Sequence, residues 1–198
     1  MSGTPGRPLS AELSEQLIAV AVDILAEEGW GRLNSDRIAA RAHAGKAGIY
    51  RRWPTMAALA RDAVGRFSLV STPADAGSLR DDLFALVDRW TRPLDREERA
   101  VASIVGVARH EEDLRSGLDA ALVRPLAEVV EELGVRAVRR GERLEMGRLA
   151  LLGSVIEAFW WQRYMRAGDG AMTRQQVERV VGDVLMPVVS AECAAARA

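Results

Sequence analysis

At 198 residues, 48% of them apolar, the chain is long enough for one substantial core or for a small module joined to a larger one, and too apolar to stay unfolded. A net charge of −1 gives no global sign of a polyanion binder, and a single cysteine, Cys193, excludes an internal disulfide and is a poor start for a metal site. The longest apolar run, Leu149 to Trp161, has 13 residues with Glu157 inside it, too few for the ~20 that a bilayer span requires.

The first ten residues hold Gly3, Pro5, Gly6 and Pro8, lack the apolar stretch of a signal peptide, and read as a flexible arm. A helix is expected from about 11 to 28, with Leu13, Leu17, Ile18, Ala21, Ile24 and Leu25 as its apolar stripe and Gly29 as its stop. Asn34 suits the N-cap of a short second helix whose Ile38 and Ala39 face inward. The segment AHAG, 42–45, leaves room only for a turn. A third short helix starts after Gly45 and ends before Pro54. Thr55 then caps a fourth, which carries Met56, Leu59, Ala63 and Phe67 inward.

STPADAG, Ser71 to Gly77, is the clearest linker and separates a unit at 11–67 from a larger one at 72–195. Beyond it, helices are predicted at roughly 78–92, 96–110, 112–139, 142–166 and 173–192. Pro125 interrupts the third of these and Pro187 bends the last. Thr173 and Gln176 form a capping box for the last helix, whose Val177, Val180, Val181, Val184, Leu185, Val188 and Val189 make one apolar face. Strand alternation and internal repeats are absent. The expected fold is all-α: a three-helix helix-turn-helix unit at the N-terminus, followed by a larger helical domain, about nine helices in total.

Charge is unevenly placed. Residues 1–28 carry a net −4, residues 29–66 a net +6, and residues 67–198 a net −3. A polyanion responds to such local excess rather than to the total. The basic block coincides with the two short helices, which fit a helix-turn-helix with the third helix entering a major groove. Small residues at Ala44, Gly45, Ala47 and Gly48 allow close backbone approach there. Lys46, the only lysine among 27 basic residues, adds a point charge at the helix N-terminus, and Tyr50 follows one turn later on the same face. Trp53 reads as a core anchor.

These residues carry a resemblance. ILAEEGW…NSDRIAARAHAGKAGIYRRWPTMAALARDAV, Ile24 to Val64, resembles the DNA-binding domain of the TetR/AcrR family of transcriptional regulators. The resemblance implies that Lys46 and Tyr50 contact phosphates, and that Arg51 and Arg52 touch backbone or base edges. It places Thr55 as the capping residue of a helix whose N-terminus approaches a phosphate. Gly48 stands where the family often has a threonine contact, so one hydroxyl is missing. Ser35 replaces a usual valine and is placed to reach DNA from the second helix. With few hydrogen-bonding side chains on 44–48, specificity falls to Ser35, Arg37, Arg51, Arg52 and DNA shape. His43 replaces the turn glycine, where the backbone commonly wants φ > 0.

In the second unit, Leu149–Trp161 is apolar on almost every side and needs cover all round, from a core on one side and a partner on the other. The resemblance implies a homodimer formed by the last two helices, with Leu152, Val155, Val181, Val184, Leu185 and Val188 at the interface. It also implies an effector cavity. Trp90, His110, Phe159, Trp160, Trp161 and Tyr164 are the candidates to line it, for a small apolar or amphipathic ligand.

Catalysis is not expected. His43 and His110 lie in different units, HExxH is absent, and no phosphate loop follows a strand. No cofactor and no metal are implied. The sequence reads as a cytoplasmic, dimeric, ligand-responsive repressor of a palindromic double-stranded operator. The rival reading is a helical interaction adaptor without sequence-specific DNA binding.

Overall fold

A computed structural model of the protein describes residues 11–190. The arm at 1–10 and Cys193 lie outside them. Among the described residues the fold is helical, and its single antiparallel bridge joins Leu144 to Ser190. No helix there is long and apolar enough to cross a membrane.

The first unit holds α1 (Ala11–Glu27), α2 (Ser35–Ala42), α3 (Lys46–Tyr50) and α4 (Met56–Val64). Gly29 ends the first helical stretch at φ 84°, where a Cβ would be strained. The Asn34 side chain accepts from the Arg37 amide and starts α2; the Thr55 hydroxyl accepts from Ala58 N at 3.0 Å and starts α4. His43 closes α2 in the left-handed region, φ 48° and ψ 41°, as the turn requires.

The second unit holds α5 (Leu79–Val87), α6 (Arg96–Ala108), α7 (Glu112–Leu118), α8 (Arg124–Arg139), α9 (Leu149–Met165), α10 (Arg174–Arg179) and α11 (Met186–Val189). Two π-helical segments, Asp119–Val123 and Val180–Leu185, join α7 to α8 and α10 to α11, so each pair runs as one long helix. A proline follows each segment closely, Pro125 and Pro187. Proline donates no amide hydrogen bond, and a wider turn just before it accommodates the loss. The helix expected from about 142 begins only at Leu149, because residues 144–148 are occupied by the bridge and a 3-10 turn. Both capping residues of α10 engage as the sequence suggests, Thr173 with Gln176.

The stretch between α4 and α5 breaks the helix but not the core. Phe67, Leu69 and Val70 are buried, and one continuous apolar cluster runs from α1 through α4 into α5–α11. Arg96 at the start of α6 donates to Asp23 at 2.7 Å and to the Ala19 carbonyl at 3.0 Å, fastening α6 to α1. Helix α7 crosses α4 at Gly117, where a Cβ would meet the Arg61 backbone at 3.0 Å. Neither helix backbone can yield cheaply there. Gly117→Ala should therefore cost about 1–3 kcal/mol through overpacking, read as a lower urea midpoint at constant slope.

Candidate nucleic-acid interface

Helices α2 and α3 meet through a turn held by the left-handed His43, and the Ala44 amide donates back to the Ala39 carbonyl at 3.0 Å. Helix α3 is only one and a half turns long, so packing must hold it rather than its own propensity. Ile49 is fully buried and Trp53 nearly so. The Trp53 indole N–H donates to Asp62 Oδ2 at 2.8 Å, tying the chain after α3 to α4. Trp53 thus anchors on α4, through a polar bond the sequence does not reveal.

The outward side of α3 gathers the expected contact residues. Tyr50 is half exposed, and its hydroxyl donates to Ser35 Oγ at 3.1 Å. This bond joins the first residue of α2 to the last of α3 and sets the angle of the phenol. Ser35 itself is largely buried, so it orients Tyr50 more than it offers a surface of its own. Lys46 is exposed at the first turn of α3 and paired with Asp36, whose carboxylate raises the ammonium pKa above its ordinary value. Lys46 is therefore a cation throughout the physiological range. Thr55 spends its hydroxyl on the α4 cap, and Arg51 lies exposed at the end of α3.

Arg52 turns back along the helix. It donates to Gly48 O and to Ser14 Oγ, both at 2.8 Å, so it braces α3 against α1. A Cβ at Gly48 would sit 3.7 Å from Arg52 Nη1, an ordinary contact, so nothing in the backbone demands glycine there. The expected loss of a hydroxyl contact is a matter of side chain, not of conformation.

Arg37 is paired with Glu28, and Arg41 with Glu27 at 3.1 Å and Glu28 at 2.7 Å. Arg66 reaches Glu15 at 2.6 Å. The basic block is thus partly neutralised by the acidic face of α1, a compensation invisible in charge counted along the chain. Arg37 braces α2 on the end of α1 and so has less to give to a base edge.

In the second unit five of the six aromatic-pocket candidates come together. Trp90 meets Trp160 edge-on at 5.4 Å between centroids and Phe159 at 5.9 Å; Trp161 meets Tyr164 at 6.1 Å. The Trp160 indole donates to the Tyr164 hydroxyl at 2.9 Å, and burial pushes that phenol well above its ordinary pKa. Trp90, Trp160 and Tyr164 are buried against each other as core. His110 stands apart, exposed in the turn after α6. Two clefts of this unit open elsewhere. One, of about 480 Å³, runs between α8 and α9; the other, of about 270 Å³, lies between the linker and α5–α6. None of the six lines either cleft.

The sequence also missed an ion pair at the centre of this unit. Arg163 and Glu98, each 2% exposed, join at 3.1 Å. Arg163 further donates to the carbonyls of Trp90, Arg92 and Gly170 at 3.3, 3.0 and 2.9 Å.

Of the six expected interface residues, Leu152, Val181 and Leu185 are buried in the chain's own core. Val155 and Val188 are half-buried and Val184 is exposed.

Residues 17–63 match the family described as "Bacterial regulatory proteins, tetR family", and residues 73–184, more than half the chain, match "Tetracyclin repressor-like, C-terminal domain". The DNA-binding transcriptional repressor TetR of Mycobacteroides abscessus is 32% identical over 182 residues, 89% of this chain and 93% of that protein. An HTH-type transcriptional regulator of Mycobacterium bovis is 28% identical over 87% of this chain and 85% of its own. A TetR family regulator from Pseudomonas syringae shares the fold, with a TM-score of 0.58 at 17% identity over 90% of this chain and 96% of that one. The two matched regions and the Mycobacteroides relative together show that the chain belongs to the TetR family of DNA-binding bacterial transcriptional regulators.

Proposed function

We propose that the protein is a cytoplasmic homodimeric repressor that binds a palindromic operator and releases it when a small molecule occupies the second unit. The observation that carries this reading is the exposure of both Lys46 and Tyr50 on a short, packed helix, with Ser35 holding the phenol in place. Backbone amides at the start of α3, the Lys46 charge and the Tyr50 hydroxyl are three groups suited to consecutive phosphates. Direct base readout falls to Arg51, with Arg37 and Arg52 freed only by exchanging their present partners.

Lys46→Ala and Tyr50→Phe should weaken binding to all duplexes alike, and Lys46→Ala should lower the salt slope by about one. Fluorescence anisotropy titrations at several salt concentrations measure both. A change in sequence preference for Lys46→Ala would contradict the phosphate assignment.

For the dimer, support comes from the outer side of α9. Leu151 and Met165 are exposed there at 54% and 69%, and Val184 of the last helical run at 38%. Exposed apolar side chains that group on one face suit a partner surface. Leu151, Val155, Val184 and Val188 therefore replace the buried Leu152, Val181 and Leu185 as the proposed contact set. Leu151→Glu combined with Val184→Glu should yield a folded monomer by sedimentation equilibrium, with operator affinity at least tenfold lower. A dimer of unchanged affinity would place the interface elsewhere.

Coupling between the units has a physical route. Trp53 bonds Asp62; Arg61 bonds Asp62 at 2.9 Å and Asp113 of α7 at 2.6 Å. A shift of α7 against α4 pulls on the residue that seats α3. Effector and operator must then weaken each other by the same factor.

A further inference from the structure

We propose that the cleft of about 270 Å³ between the linker and the α5–α6 turn is a ligand site for a small neutral polyhydroxylated molecule, a sugar or polyol. This deepens the regulator reading above and rests on it, since it names the chemistry of the effector.

Glu98 and Arg89 both line the cleft. Glu98 is 2% exposed; its Oε2 accepts from Arg163 Nη2 and from the Asp95 amide, both at 3.1 Å. Its other oxygen, Oε1, has no hydrogen bond. Beside it, 3.4 Å away, stands Arg89 Nε, also without one. The remaining Arg89 nitrogens are engaged, Nη1 with the Leu69 carbonyl and Nη2 with Asp95. A buried acceptor and a buried donor thus face each other as an ion pair, neither with a hydrogen bond, and a ligand hydroxyl can supply one to each. A hydroxyl suits both, because one oxygen accepts from Nε–H while its own proton goes to the carboxylate.

Charge disfavours a ligand that carries a single charge. Arg89 and Arg92 against Asp95 and Glu98 leave the lining neutral, and the signs are interleaved rather than separated. A free carboxylate at Arg89 lies against Glu98; a free ammonium at Glu98 lies against Arg89. A neutral molecule meets neither repulsion. Ser71 and Asp95 at the rim offer further partners for neighbouring hydroxyls, and Val70, Pro73 and Pro93 give apolar walls for the C–H faces of a ring. The 480 Å³ groove between α8 and α9 contains none of the buried unsatisfied side-chain atoms.

The position serves regulation. Leu69, Val70 and Ser71 belong to the segment that leads out of the DNA-binding unit, and Arg89 already grips the Leu69 carbonyl. A ligand that draws on Arg89 acts on that segment directly.

The test titrates the full-length protein, without DNA, against glucose, ribose, myo-inositol and glycerol, with acetate and glycine as charged comparators, using calorimetry and saturation-transfer NMR. At least one neutral polyol should bind saturably. Ser71→Trp, at an exposed rim position, should weaken it about tenfold or more, and Arg89→Lys, which keeps the charge but removes Nε–H, should do the same. Circular dichroism melts establish that both variants fold. The proposal is overturned if no polyol binds the folded wild type, leaving only a bridging water in the cleft. It is equally overturned if both folded variants bind unchanged, or if acetate or glycine binds there in place of the polyols. Because no DNA is present, failure of operator binding leaves this result untouched, and failure here leaves operator binding intact.

Discussion

Arg163→Ala is expected to destabilise the protein by about 3–5 kcal/mol, lowering the melting temperature by roughly 10 °C. The pair with Glu98 is buried on both sides, at 1% and 2% side-chain exposure, so removing the guanidinium strands a carboxylate away from water. It also strands three carbonyls, those of Trp90, Arg92 and Gly170, and frees the loops that carry them. Glu98→Gln should cost less, because an amide keeps an acceptor for Arg163 and for the Asp95 amide that caps α6. Differential scanning calorimetry of both variants ranks them. A loss below about 1 kcal/mol for Arg163→Ala would mean that water reaches the pair.

Trp53→Ala should cost about 3–5 kcal/mol as well, with a different signature. The indole is 5% exposed and fills the space between α3 and α4. Its removal leaves a cavity and an Asp62 oxygen without its donor. Because α3 is too short to persist alone, DNA binding should be lost at temperatures where the second unit keeps its helices. Trp53→Phe should recover most of the packing but not the bond to Asp62. If Trp53→Phe and Trp53→Ala lost DNA binding alike, the Asp62 bond rather than the packing would be what seats α3.

Much of the fold was legible because it rests on local signals. The caps at Asn34, Thr55 and Thr173, the stop at Gly29 and the apolar stripes of α1 and α4 each act within a few residues. The positive φ at His43 was implied by the family resemblance, in which that residue stands at a turn glycine. Pairings across the fold were not legible. Nothing local indicates that Arg37 and Arg41 turn to Glu27 and Glu28, or that Arg163 meets Glu98 65 residues away. The apolar face of the last helix was plain, but periodicity does not say whether such a face meets its own core or a second copy. Val181 and Leu185 went to the core, and Val184 was left outside. The aromatic candidates show the same gap: five of them gather against one another, which their positions in the sequence do not reveal.

The most direct test of the central claim is repeated selection of the purified protein on random-sequence DNA duplexes at near-physiological salt. An enriched inverted repeat is the predicted result, with half-sites one helical turn, or a multiple of it, apart. Enrichment lost on Tyr50→Phe with Lys46→Ala would tie that repeat to α3. A folded, dimeric protein that enriches no sequence, with or without the polyols that bind it, would contradict the account.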